Sequence, residues 1–214
     1  MFTRIRLRAI LFDWDGTLLD SYRADARAYV QTFQMLGIPW GIEDLKSHYS
    51  PDWYRVYRAA GMPRNRWAEA DRLWRQFYRA ERPALQRSAR DVLERVSRDY
   101  RLALVTSGSS SRVRGQLRAF GLEKFFPVQV FGDRSPRKKP HPAPIQIAMK
   151  RLGLEPAACV YIGDAPEDVE MARRAGVAAI GIIGHSPVPG RLRESRPQAL
   201  IANLTSLPRL LAGR

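Results

Sequence analysis

Four places in this 214-residue chain set chemically capable side chains beside turn-forming residues. The first is Phe12-Asp13-Trp14-Asp15-Gly16-Thr17. In extended chain, positions i and i+2 face the same side, so Asp13 and Asp15 aim together. Two carboxylates so close repel, which favours a shared proton or a bound cation. They permit a division of labour into nucleophile and general acid/base. Asp-Gly is also a common turn, and a turn alone accounts for the same residues. The second place is Thr106-Ser107-Gly108 followed by three more serines, where hydroxyls and backbone N–H groups at a helix N-terminus make an anion site. One serine capping a helix would account for the run equally well. The third is Lys139 in Arg137-Lys138-Lys139-Pro140-His141-Pro142, a lysine placed before a helix to hold a phosphate or orient a carboxylate, or else part of a solvated basic loop. His141 has no partner in view. The fourth is Gly163-Asp164-Ala165-Pro166-Glu167-Asp168. Asp164 with Glu167 three residues on reads as a capping box. The acid cluster of Glu167, Asp168 and Glu170 reads instead as hard oxygen ligands suited to Mg²⁺.

The elements that must position these residues are legible in the hydrophobic pattern. Ala9–Phe12, Leu102–Val105, Cys159–Ile162 and Val177–Ile180 are short apolar runs that predict buried parallel strands, with Val128–Phe131 and Ala199–Ile201 as weaker additions. Helical periodicity separates them over 89–100, 112–120, 145–152 and 167–175, the last three stopping at Gly121, Gly153 and Gly176. Alternating strands and helices specify an α/β fold, an open parallel Rossmann-like sheet covered on both faces. Residues 20–84 break the alternation: they hold four of the five tryptophans, and between Ser21 and Arg82 they carry helical periodicity and no strand. The expected organisation is therefore an α/β core formed by 1–19 and 85–214, with 20–84 as an all-helical insertion. The four chemical sites all fall at or just beyond predicted strand ends. Neighbouring strands lie about 4.8 Å apart, so adjacent ends would bring the acids, the anion nest and the lysine into one pocket.

Composition bounds the rest. A hydrophobic fraction of 45% with 27% charged residues is that of a globular chain. No apolar run approaches the roughly 18 residues that cross a bilayer. The basic, then apolar, start lacks a small-residue cleavage site, because Asp13 and Asp15 follow the apolar stretch. A single cysteine allows neither an internal disulfide nor a multi-cysteine metal site. A cytoplasmic enzyme without membrane association is expected, monomeric or homodimeric. The formal charge is +15, carried by 31 Arg and five Lys scattered without long runs. Such a surface steers anions. It also motivates a second hypothesis, a basic nucleic-acid-binding protein or a phosphatase of nucleic-acid ends, for which no recognised nucleic-acid motif appears.

In order and spacing these features resemble the four motifs of the haloacid dehalogenase superfamily. The stretch from Asp13 to Ser21 is similar to its first motif, the Thr106 strand end to its second, Lys139 to its third, and Gly163 to Gly176 to its fourth. Trp14 stands where Phe is commoner in the family, and Ser88-Ala89 where Gly-Val is. The helical insertion resembles the cap domain of the phosphoglycolate phosphatase-like branch. The resemblance implies a Mg²⁺-dependent phosphatase acting on a small-molecule phosphate ester through an aspartyl-phosphate. Asp13 would be the nucleophile and Asp15 the general acid and base. Thr106, Ser107, Gly108 and Lys139 would bind the phosphoryl group. Asp13, the Asp15 backbone carbonyl and Asp164 would hold the metal, and Asp168 would orient Lys139 or a metal-bound water. Dehalogenases of the family lack the second acid, since a leaving halide needs no proton, so Asp15 points to a phosphate. Phosphomutases of the β-phosphoglucomutase type keep both acids and remain the alternative. Trp14 is expected not to touch the chemistry.

Overall fold

The computed structural model describes residues 7–212; the basic residues 1–6 at the start of the chain lie outside the described residues, as do 213–214. Two compact units divide the chain: Met1–Leu19 with Leu85–Arg214, and Asp20–Ala84.

The first unit is built on six strands: β1 (Ala9–Phe12), β2 (Arg101–Val105), β3 (Val128–Val130), β4 (Cys159–Gly163), β5 (Ala178–Ile182) and β6 (Ala199–Ile201). They pair in parallel in the order β3-β2-β1-β4-β5-β6. The chain therefore starts in the middle of the sheet and builds outward in both directions. This leaves β2, β1 and β4 as adjacent central strands, in register at Phe12 with Leu104 on one side and Ile162 on the other.

Apart from Arg101 at the start of β2 and Gln129 in the edge strand β3, the strand residues are apolar, because both faces of the sheet are covered. Alternation divides each strand between two cores. Ile10, Phe12, Leu102, Leu104, Val160 and Ile162 pack with the helices Ala89–Val96 and Ser110–Ala119. Ala9, Leu11, Ala103, Val105, Cys159 and Tyr161 pack with Ala143–Leu152 and Pro166–Arg174 on the other face. The sheet begins its fifth strand at Ala178 rather than Val177, and the helix starting at Ala89 stops at Val96, short of the 89–100 span.

The second unit is not all-helical, since Asp20 and Ala84 at its ends belong to two paired two-residue strands, Leu19–Asp20 and Ala84–Leu85. Between them it is helical over Tyr22–Met35, Ile42–Ser47, Trp53–Ala59 and Trp67–Glu81, the last preceded by a 3-10 turn at Arg64–Arg66. Its own core holds Tyr29, Phe33, Val56, Tyr57 and Leu73, with Trp40, Trp53, Trp67 and Trp74 packed against it. Each of the four tryptophans thus serves packing, as an aromatic residue at helical spacing ordinarily does. Ile42–Ser47 is too short to show a clear period in the sequence.

Candidate functional site

Asp13 directly follows β1, and its N–H donates to the Ile162 carbonyl of β4 at 2.9 Å. The acid is thereby fixed beyond the carboxyl end of the central strand, where open α/β sheets bind ligands. Asp164 follows β4 and Thr106 follows β2, both buried. Lys139 reaches the same place from the loop before Ala143–Leu152. Its Nζ lies 2.8 Å from Asp13 Oδ1 and 2.8 Å from Asp168 Oδ1. The Asp168 side chain in turn accepts from the backbone N–H groups of Asp164 (3.2 Å) and Ala165 (3.1 Å), capping its own helix. The helix is thus capped by Asp168, not by an Asp164–Glu167 box.

Asp13, Asp164 and Asp168 each offer a carboxylate oxygen within 4.8 Å of the others. Thr17, fully buried, donates its hydroxyl to Asp164 Oδ1 at 3.1 Å. Asp164 Oδ2 is buried and accepts no hydrogen bond among the described residues. Gly16 makes this approach possible: a Cβ there would sit 2.1 Å from Asp164 Oδ2, and its φ of +75° suits glycine. If all three buried carboxyls ionise, the one ammonium leaves two negative charges in excess, a cost that adds to burial in raising the Asp13 and Asp164 pKa values. Burial pushes the Asp13 carboxyl up to about 7, with Lys139 opposing and Asp168 adding to the rise. Burial and the same neighbouring acids hold Asp164 well above the usual carboxylate range. Burial alone would lower the Lys139 amine, but Asp13 and Asp168 more than offset it, so the ammonium is retained. Oxygen donors with a two-charge deficit and an unsatisfied Asp164 oxygen fit a hard divalent cation such as Mg²⁺.

The loop after β2 distributes its donors in a particular way. Gly108 N–H donates to Thr106 Oγ1 at 3.0 Å, which leaves the Thr106 hydroxyl proton available to a ligand. Ser110 N–H and Oγ both donate to Asp133 at 2.9 Å, so the first turn of Ser110–Ala119 is capped by a carboxylate 23 residues away. Of the N–H groups expected to form an anion nest, those of Gly108 and Ser110 are already engaged. That of Ser107 has no protein partner among the described residues.

Asp15 is held differently from Asp13. Arg112, in the first turn of Ser110–Ala119, donates to both of its oxygens, at 2.9 Å (Oδ1) and 2.6 Å (Oδ2). Arg112 also donates to Gln116 Oε1 at 3.1 Å, and that same oxygen accepts from the Trp14 indole N–H at 2.9 Å. Trp14 itself touches neither Asp15 nor Arg112, but it is linked to Asp15 through Gln116 and Arg112.

Arg112, Gln116 and Thr17 are neighbours of the candidate site that the sequence did not disclose. A usable signal for Arg112 was its cation in a helix's first turn, where the macrodipole disfavours positive charge unless an acid answers it. Conversely, two members of the expected acid cluster face elsewhere. Glu170 pairs with Arg173 and Arg174, and Glu167 lies 3.5 Å from Arg191. His141 Nδ1 accepts from Ala143 N–H at 3.1 Å, a local turn contact.

Comparison with known proteins agrees with this geometry. The family described as haloacid dehalogenase-like hydrolase matches residues 10–182. The chain is 32% identical to a phosphoglycolate phosphatase of Chromobacterium violaceum over 189 residues, 82% of this chain and 85% of that protein. It is 28% identical to the pyrophosphatase PpaX of Bacillus velezensis over 182 residues, 83% of each. Among solved structures, a Thermotoga maritima protein provisionally described as a beta-phosphoglucomutase is similar with a TM-score of 0.73 and 27% identity, covering 97% of this chain and 99% of that one. With the acids, the lysine and the three central strand ends placed as described, the chain belongs to the haloacid dehalogenase-like hydrolases.

Proposed function

We propose that this protein is a Mg²⁺-dependent phosphatase that hydrolyses a small phosphate ester or anhydride by way of an aspartyl-phosphate on Asp13. The observation that carries the reading is the Lys139 ammonium held between Asp13 and Asp168 beside Asp164, at the ends of adjacent central strands.

In the first half-reaction an Asp13 carboxylate oxygen attacks phosphorus, the bond to the leaving oxygen breaks, and Asp15 gives that oxygen a proton. In the second, water attacks the phosphorus of the aspartyl-phosphate and its proton passes to Asp15. The Asp13–phosphorus bond breaks and inorganic phosphate leaves. Lys139, the Thr106 hydroxyl and the Ser107 N–H hold the phosphoryl oxygens, while Gly108 acts one step removed by orienting the Thr106 hydroxyl. Asp13, Asp164 and the Asp15 carbonyl would hold Mg²⁺, which would offset the repulsion between a phosphate dianion and the acids. Asp168 keeps Lys139 in place. In this reading the helical unit, inserted in the chain directly after the first acid pair, is the cap domain.

The names of the relatives support testing phosphoglycolate and pyrophosphate first, with sugar phosphates next. The experiment is phosphate release from p-nitrophenyl phosphate and a metabolite panel, with Asp13→Asn as the blank. Turnover retained by that variant removes Asp13 as nucleophile. The β-phosphoglucomutase-type alternative, kept open by the Thermotoga maritima likeness, predicts an isomerised sugar phosphate in place of free phosphate.

A further inference from the structure

The proposed chemistry asks Asp15 to present an oxygen to the leaving group, as acid and then as base. In the structure both oxygens already accept from the Arg112 guanidinium, which takes up one lone pair on each and fixes where the carboxylate points. The arrangement is built rather than incidental. Gly108 leaves room for it: a Cβ there would come 2.5 Å from one guanidinium nitrogen of Arg112 and 3.3 Å from Asp15 Oδ2. Gln116 and the fully buried Trp14 fix the guanidinium from behind. The side chain of Arg112 is 16% exposed and that of Asp15 32% exposed, so Asp15 is the partner freer to move.

An arginine this enclosed cannot simply lose its carboxylate, since a desolvated charge left alone is costly. Whatever frees Asp15 has to bring a replacement anion, and a planar two-point acceptor such as a carboxylate or phosphate matches the guanidinium fork. The substrate's leaving side is where such an anion would arrive, because Asp15 works on the leaving oxygen and Arg112 touches Asp15.

We propose that Arg112 is a specificity-determining residue that holds Asp15 until the substrate's own leaving group supplies a second anionic group to take its place. The substrate class is then phosphate esters or anhydrides whose leaving group carries a carboxylate or phosphate. This inference rests on the phosphatase reading and narrows it.

The test compares two matched substrates, 2-phosphoglycolate and 2-hydroxyethyl phosphate, which differ in a carboxylate against a hydroxymethyl group. A charge-assisted two-point contact is worth roughly tenfold to hundredfold in kcat/KM, and the wild type is expected to prefer phosphoglycolate by that factor. Arg112→Met is expected to bring the ratio close to one. Arg112→Lys, which keeps the charge but not the fork, falls between the two. A variant that merely loosened the structure would lower both rates together and leave the ratio intact. A wild-type ratio near one overturns the proposal whether or not Arg112→Met folds, and so does an unchanged ratio in either variant. If p-nitrophenyl phosphate is hydrolysed in an Asp13-dependent way while the ratio is flat, the selectivity idea alone fails. Absence of phosphate release from every ester fails the phosphatase reading itself.

Discussion

Replacing Asp13 by Asn should make the metal-free protein more stable at alkaline pH while abolishing its activity. Burial raises the Asp13 carboxyl from 3.8 to about 7, so between those values the folded protein holds a proton that the unfolded chain has released. Stability from this source is complete below about pH 4 and is lost as the pH rises through about 7. The rise corresponds to about 4 kcal/mol at most, at about 1.4 kcal/mol per pH unit. Asn does not titrate and removes one of three mutually repelling acids. Lys139 keeps its second partner, Asp168, 2.8 Å away, so no buried ammonium is stranded. Urea unfolding of chelator-treated protein should therefore show Asp13→Asn more stable than wild type by about 1–4 kcal/mol at pH 8, with the gap closing near pH 5, where wild-type Asp13 is itself neutral. Millimolar Mg²⁺ should stabilise wild type more than the variant at pH 8, because a cation bound only to the folded state adds to its stability. A variant less stable than wild type at pH 8 without metal, or a gap that does not change with pH, would refute the account of excess buried negative charge.

Three further outcomes are expected. Asp15→Ala should slow hydrolysis of the aspartyl-phosphate more than its formation from p-nitrophenyl phosphate, whose phenolate leaves without a proton, and intact-mass measurement should then detect a phosphorylated enzyme. Removing divalent metal with a chelator should stop phosphate release and Mg²⁺ should restore it; turnover indifferent to chelator would count against a cation at Asp13 and Asp164. Gly16→Ala should cost at least tenfold in kcat and weaken activation by Mg²⁺, since its Cβ would press on Asp164 Oδ2 from 2.1 Å at a backbone φ of +75°; wild-type metal dependence in that variant would be the contrary result.

Much of the site was legible because its acids follow strands, where the two-residue period and the common direction of parallel strands convert sequence order into spatial proximity. Asp13, Thr106 and Asp164 each stand one residue after a central strand, so recognising three apolar runs was nearly enough to bring them together. Lys139 needed the motif order as well, because a loop lysine carries no period. The misread acids show the limit of local pattern. Glu167, Asp168 and Glu170 look like one cluster in the sequence, yet on a helix successive residues turn by about 100°, so only Asp168 faces the lysine while Glu170 turns to Arg173 and Arg174.

Arg112 illustrates the opposite case: its place in a helix's first turn calls for an answering acid, but no local rule says which acid. It lies 97 positions from Asp15, on a helix whose outward composition is that of any basic surface helix. The contact exists because β2 is the strand beside β1, which delivers the helix after β2 to the acid after β1. Trp14 follows the same logic. As a departure from the family pattern it is expected to stand apart from the chemistry, and it does not touch Asp15; once Gln116 is brought across, though, its indole N–H shares an acceptor oxygen with the guanidinium that grips Asp15. The motif residues define which reaction is possible, and the neighbours that topology brings to them decide how an individual member holds its acid before substrate arrives. Substitutions at Trp14, Gln116 and Arg112 should for that reason change the ratio of kcat/KM values between 2-phosphoglycolate and 2-hydroxyethyl phosphate more than they change hydrolysis of p-nitrophenyl phosphate, which asks only for the proposed phosphoryl-binding residues around Lys139.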